Sequence, residues 1–528
     1  MKSLSQNQIK RLTAVHGWSG TLLGALLYAV IVTGTVAVFA HEIAEWSAGG
    51  GQAADPLATS LDRNVRLVAD PLTKGYRQSI GIWGTARGDL MVFPHAHARN
   101  PATGEMSDYG PMFRIAPSSG EILFRDEGFA YSEPEWYEDS ALEDFLIELH
   151  VQLYMPTPWG LIVTGILGLA MMAAGVSGIV IHRHLIRDLF VGHREGRRLV
   201  SARDRHVLAA SWGLVFTFLL GFTGSFFSLA PTVTFPLLAN VAFGGDQEAM
   251  ADVLFEPQAA PGPRPVPMAD LDRMIAESRA RTGSEAGYVE VSNYGRADSR
   301  ISIWNEPPPG RLAWVHNVFD GATGEFLGVR PRVGQTPSSG SFLYNLMWPL
   351  HTGDFAGVTS KSVWVGLGAA MAFVVISGMR LWVRRREEQT LWRRFGRAVT
   401  VVGYGLPVAM LGSAHAYFLA LGAGANEFWW TPAGFVIGIA PGVLPGLAVR
   451  DEDALRRFYR KLLGIGLLLL PAVRMATGGP DWAAAVADGQ GTVLSIDLAL
   501  LLLGAGLIRW GRRKRTATPD PAERAHGT

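Results

Sequence analysis

The sequence predicts an α-helical integral membrane protein of about eight transmembrane helices, with a core four-helix bundle from two parallel repeats and two small α+β domains outside the membrane. Three observations carry this. The 528 residues are 48% hydrophobic and only 18% charged, with mean hydropathy +0.17. Apolar runs near 18–40, 159–181, 207–229, 362–383, 398–420, 433–449, 462–479 and 492–509 approach the roughly 20 helical residues that cross a hydrocarbon core. The third is a repeat. His16 opens a run closing at Thr33-Gly34 and His206 opens one closing at Thr223-Gly224, both over 17 residues. His150, in Glu-Leu-His-Val, and His351, in Pro-Leu-His-Thr, precede runs closing at Ser177-Gly178 and Ser377-Gly378, 27 and 26 residues on.

In chain order, residues 1–41 hold the first span, introduced by Lys10 and Arg11. Val38-Phe39-Ala40 resembles a small-residue cleavage site, but the run before it is about twice a typical signal-peptide core, which predicts an uncleaved helix. Residues 42–148 form the first α+β domain, with a strand at Asp89-Leu90-Met91-Val92-Phe93 and a turn at Pro117-Ser118-Ser119-Gly120-Glu121. Residues 149–206 hold the second span and an arginine-rich loop, and 207–229 the third span. Residues 230–350 form the second α+β domain. It has a proline-rich linker over 256–268, an amphipathic helix over 269–278, a strand at Gly287-Tyr288-Val289-Glu290-Val291-Ser292 and a turn at Gly321-Ala322-Thr323-Gly324-Glu325. Residues 351–395 carry the fourth span, 396–510 a C-terminal four-helix extension and 511–528 a basic tail.

Basic residues set the orientation. They precede the first span and follow the second, fourth, sixth and eighth, whereas 421–432 and 480–491 contain no Lys or Arg. The positive-inside rule then places both termini in the cytoplasm. In a bacterial inner membrane, both α+β domains face the periplasm.

A formal net charge of +1 without a basic-aromatic groove gives no reason to expect nucleic acid among the partners. The chain has no cysteine, which excludes disulfides, thiolate zinc sites, iron–sulfur clusters and covalent haem attachment. No glycine-rich nucleotide loop follows a strand, so any electrons would come from a separate donor, membrane quinol or a cytoplasmic reductase.

A single histidine at a membrane edge is an ordinary headgroup anchor. Four at matching positions in two copies read as ligands, since polar groups in membrane helices are functional by default. With the copies related by an axis along the membrane normal, His16 faces His206 near the cytoplasmic edge and His150 faces His351 near the periplasmic edge. Two b-type haems, each held by two neutral imidazoles, are the predicted cofactors. Lesser candidates are His182 and His184 for the inner site, His41 for the outer site, and His415 within the fifth span. His95, His97 and His316 belong to the α+β domains; His95 and His97, two apart on a strand, share a face. Tyr344, Trp348, Tyr154 and Trp136 are candidates for an acceptor surface and equally for an interfacial aromatic belt.

His16-Gly17-Trp18 opening a span that ends Thr-Gly, the x-Gly-Glu turns, and a Leu-His leading a span that ends in Ser-Gly and arginines together resemble the PepSY-associated transmembrane family. That family includes iron-regulated membrane proteins and ferric-siderophore reductases. The resemblance covers about residues 10–390 and leaves the last four spans outside it. It implies a b-type dihaem bundle flanked by two periplasmic PepSY domains, passing electrons outward to a ferric siderophore or other ferric chelate. Two other readings stay open. One is a periplasmic binding or regulatory protein without redox activity, since PepSY domains resemble inhibitory propeptides. The other is a transporter, for which Asp497 is the sole acidic residue well inside a predicted span.

Overall fold

The structure, a computed structural model of the full chain, describes residues 5–48, 55–58, 60–101, 106–130, 140–182, 198–254, 262–308, 310–334 and 336–512. His184, Trp136, part of the proline-rich linker, most of the arginine-rich loop and the tail beyond Arg512 lie outside them. The chain divides into two compact units, residues 1–387 with 482–492, and residues 388–481 with 493–528.

The membrane part of the first unit begins with α1 (Gln6–Leu22) and α2 (Gly24–Ala37). Ser5 starts α1 with a reciprocal capping box to Gln8. The pair bends by 62° at Leu23. A short α3 (Ala40–Ala48) follows, then, beyond the first sheet segment, α5 (Ala141–Val151) and the span α6 (Trp159–Ile181). The second copy repeats this order with α7 (Arg198–Trp212), α8 (Leu214–Leu229), α12 (Ser339–Thr352) and the span α13 (Gly357–Arg384). The break between α7 and α8 falls at Gly213. Both breaks, at Leu23 and Gly213, lie seven residues after the copy's first histidine, so the repeat extends to the interruption of its helix. His150 and His351 sit in the last turns of short helices that end before the spans, not at the spans' own starts.

A buried cluster of Ile31, Met171, Phe216 and Met371 takes one side chain from each of α2, α6, α8 and α13. Small residues let these helices approach closely. A Cβ on Gly24 would stand 2.7 Å from the Met379 sulfur and one on Gly165 2.6 Å from Leu229. The Ser225 hydroxyl donates to the Gly165 carbonyl at 2.9 Å, tying α8 to α6.

Between the spans the chain builds a single eight-stranded antiparallel sheet of order β4-β3-β2-β1-β5-β6-β7-β8. Its strands are β1 (Ser79–Gly84), β2 (Leu90–Arg99), β3 (Met106–Ile115), β4 (Ile122–Phe129), β5 (Ala286–Ser292), β6 (Arg300–Asn305), β7 (Val315–Asp320) and β8 (Phe326–Arg330). The two expected turns close β3–β4 and β7–β8, with Gly120 and Gly324 at φ +77° and +74°. The segments read from the sequence as separate domains, 42–148 and 230–350, instead share this sheet. Each is a four-stranded meander whose first strand would be an unpaired edge, and β1 pairs β5 antiparallel from Ser79↔Ser292 to Trp83↔Tyr288. Helices α4 (Leu61–Ala69) and α11 (Leu271–Thr282) cover one face, and one core runs from Leu61, Val65 and Ile82 to Met274, Val289 and Ile303. The two helix starts cap each other: the Leu61 amide donates to Asp272 Oδ1 at 2.7 Å and the Leu271 amide to Asp62 Oδ1 at 3.2 Å. Two further helices, α9 (Phe235–Phe243) and α10 (Gln247–Leu254), lead from α8 toward the second meander.

In the second unit α14 (Thr390–Ala423) packs tightly on α15 (Glu427–Ala448). Gly434, Gly438, Gly442 and Gly446 form a stripe at four-residue spacing, and Gly405 meets the Gly442 carbonyl, where a Cβ would come to 2.9 Å. The Tyr459 hydroxyl of α16 (Glu452–Ala476) donates to the same carbonyl at 2.6 Å. Arg474 of α16 and Asp497 of α18 (Gly491–Arg512) form a buried ion pair at 2.8 Å, their side chains 1% and 2% exposed. The acidic group considered for transport is thus neutralised in place. The short α17 (Trp482–Ala487) precedes α18.

Among the described residues, six helical spans are long and apolar enough to cross a membrane, and α1–α2 make a seventh when the bent pair is counted as one span. One of the six is the run Leu214–Phe243, in which α8 continues into α9 past the expected end at 229. The expected seventh run, 462–479, falls on α16, whose first half carries Arg456, Arg457, Arg460 and Lys461 and which does not meet that standard by composition.

Candidate functional site

Three of the four repeat-related histidines are seated on a hydroxyl and the fourth on a backbone carbonyl. His16 of α1 places Nδ1 2.8 Å from Ser177 Oγ on α6, and His206 of α7 places Nδ1 3.0 Å from Ser377 Oγ on α13. His351 of α12 places Nδ1 2.9 Å from Thr223 Oγ1 on α8. His150 of α5 places Nδ1 3.0 Å from the Val30 carbonyl and 3.5 Å from Thr33 Oγ1 on α2. Each copy is therefore reciprocal: the histidine before one span lies against the hydroxyl-glycine pair that closes the other.

The glycines make room for the rings. A Cβ on Gly34 would come within 2.5 Å of His150 Cε1, one on Gly378 within 3.1 Å of His206, and one on Gly224 within 3.2 Å of His351; at Gly178 the separation from His16 is 3.9 Å.

Across the copies, His150 and His351 come together with ring centres 6.1 Å apart and planes inclined by 24°. Two imidazoles binding one metal from opposite sides, with metal–nitrogen distances of about 2.0 Å, would hold their ring centres about 6 Å apart. His16 and His206 share the other end of the bundle: α13 carries Gly378 against His206 and, one turn on, Trp382 against Gly17. Trp382 also meets Trp18 edge-on at 5.3 Å and lies under the Arg386 guanidinium. The Ile31–Met371 cluster belongs to the same four helices that seat the two pairs.

Among the described residues, no three His, Cys, Asp or Glu side chains converge as a metal site. Two imidazoles alone suit an iron that arrives with four equatorial donors already in place, as in haem.

The lesser candidates lie elsewhere. His41 is an exposed member of an i,i+4 pair with Glu45 at 3.3 Å, and that carboxylate raises its pKa. His182 caps α6, its amide donating to the Gly178 carbonyl. His415, in the second unit, places Nε2 3.1 Å from the Gly466 carbonyl, joining α14 to α16. In the sheet, His97 pairs with Asp108 at 2.6 Å while His95 Nδ1 lies 2.9 Å from the Phe93 carbonyl. His316 stacks on Trp304 with ring centres 4.2 Å apart, and burial lowers its pKa to about 4, aided by Arg330 and Arg332.

Aromatic side chains continue outward from the sheet-side pair. Phe227 meets His351 at 5.6 Å and Trp348 at 5.9 Å, and Phe226 meets Tyr344 at 5.9 Å. Tyr154 packs instead on Phe145 at 5.2 Å. Sequence reading used Thr33, Ser177, Thr223 and Ser377 only as markers of where spans close and missed that they touch the imidazoles. Their fixed place before a glycine, in register with the histidines, was the available signal. It also missed Lys361, buried at the start of α13, whose ammonium donates to Glu42 at 2.7 and 2.9 Å.

The sequence model of the PepSY-associated TM region matches residues 13–385. The chain belongs to the PepSY-associated transmembrane family. An uncharacterized protein of Pseudomonas aeruginosa, PA4219, is 26% identical over 404 residues, covering 72% of this chain and 96% of its own length. The family match spans both histidine repeats and the sheet, and stops where the second unit begins. With its apolar helices, it makes this member of the family a multi-pass membrane protein.

Proposed function

We propose that this protein is a b-type dihaem oxidoreductase of the bacterial inner membrane. It would reduce a ferric chelate, such as a ferric siderophore, on the sheet-domain side with electrons from quinol or a cytoplasmic reductase. The observation that carries the reading is the 6.1 Å approach of His150 and His351 across the two copies, each ring set against a glycine.

When bound, haem supplies reversible one-electron exchange between ferric and ferrous iron. His150 and His351 would hold one group, His16 and His206 the other. The chain contributes the rest: Gly34, Gly224 and Gly378 leave space for the rings, and apolar side chains between the pairs exclude water. Hydroxamate and catecholate oxygens prefer ferric to ferrous iron, so reduction loosens the chelate. The arginines that follow α6 and α13 in the sequence support a cytoplasmic location for that end.

The test is the dithionite-reduced minus oxidised spectrum of the detergent-purified protein. A b-type α-band is expected, with loss of about one haem per protein in H16A and in H351A. Protein made with haem available but lacking that band would refute the reading and leave a binding or regulatory role.

A further inference from the structure

We infer that Ser177, Ser377 and Thr223 are positioning residues that fix the tautomer of their histidines, while at the fourth position a backbone carbonyl does this in place of Thr33. The inference rests on the haem reading.

The argument follows the hydroxyl protons. Ser177 donates its proton to the Ala174 carbonyl at 2.9 Å and Ser377 to the Val374 carbonyl at 3.0 Å, each on its own helix. Thr223 donates to the Leu219 carbonyl at 2.8 Å. A hydroxyl has one proton, so toward His16, His206 and His351 these three oxygens act as acceptors and Nδ1 must be the protonated nitrogen. At the fourth position the Val30 carbonyl has no proton to give, and Thr33 donates its own to the Ala29 carbonyl at 2.8 Å. All four rings therefore carry hydrogen on Nδ1 and leave the Nε2 lone pair free to bind iron. An accepting partner also makes the imidazole a stronger donor.

The four positions are not equivalent. Thr33 stands 3.5 Å from His150, beyond a normal hydrogen bond, while the Val30 carbonyl stands at 3.0 Å. The same substitution should therefore have opposite outcomes at the two threonines.

The experiment is a spectroelectrochemical titration, with haem content, of the full-length protein and its T223V, T33V, S377A, T223S and S377T variants. Loss of an outer partner typically weakens metal binding about tenfold or more. A tenfold loss of ferric over ferrous preference would move one haem about 59 mV upward. That shift, or loss of one haem, is expected in T223V and S377A, with wild-type behaviour in T33V, T223S and S377T. Unshifted T223V and S377A, or serine and threonine exchanges that fail like the apolar variants, would overturn the inference while leaving haem binding intact. A wild-type protein without haem would overturn both.

Discussion

Adding one methyl group at each of the four histidine seats should give a graded response set by the distances already described. The methyl of Gly34→Ala would sit 2.5 Å from His150 Cε1 and 2.9 Å from its Nδ1, well inside van der Waals contact. The ring cannot retreat without giving up the Val30 carbonyl at 3.0 Å. Overpacking of this kind costs about 1–3 kcal/mol, and the better helix propensity of alanine returns about 0.5–1 kcal/mol. The net loss, about 1–2 kcal/mol, corresponds to about a five- to thirty-fold weaker hold on whatever His150 binds. Gly378→Ala and Gly224→Ala, at 3.1 and 3.2 Å, require shifts of a few tenths of an ångström and should lose less. Gly178→Ala, at 3.9 Å, should lose nothing. Haem per protein by pyridine haemochrome, with thermal unfolding in detergent as a check on folding, gives the order. Equal behaviour of all four alanines, or a worse defect at Gly178 than at Gly34, would refute the geometry.

Two further predictions concern other parts of the chain. His316 is buried with its pKa lowered to about 4, so the unfolded chain, titrating near 6.5, binds more protons between those values. Stability of the sheet is then complete above about pH 6.5 and falls as pH drops toward 4, by up to about 3 kcal/mol; H316F should flatten that dependence in pH-resolved thermal unfolding, and an unchanged slope would contradict it. In the second unit, D497A leaves the Arg474 charge buried and should destabilise by about 3–5 kcal/mol, while an R474L/D497L double variant recovers most of it; membrane accumulation and unfolding in detergent measure this, and a single variant as stable as wild type would be the contrary result.

Much of the site was legible because the chemistry repeats in the chain. His16 and His206, and His150 and His351, stand at matching places in the two copies, and each lies against the hydroxyl-glycine marker that closes the other span of its own copy. The pairing of separate elements was not legible. Nothing in the alternation of β1 or β5 says whether the neighbour is a strand of its own meander or of the other copy, because the pattern fixes which face is buried and not which edge is paired. The seat of His150 on a backbone carbonyl was hidden for a related reason: every residue carries that acceptor, so no side chain at Val30 advertises it. The expected seventh run, 462–479, falls short of the others in composition because the charged turns of Arg456, Arg457, Arg460 and Lys461 share its helix.

The junction of β1 with β5 has a consequence for how such a chain arises. A polypeptide with only one copy would expose β1 along its length and leave an aspartate at the start of α4 with no helix to cap. Both wants would be met by a second identical molecule presenting its own β1 edge and α4 start, at a concentration-dependent cost. Joining the two copies in tandem makes that encounter intramolecular, and each half is then free to diverge, as the unlike seats of His150 and His351 already have.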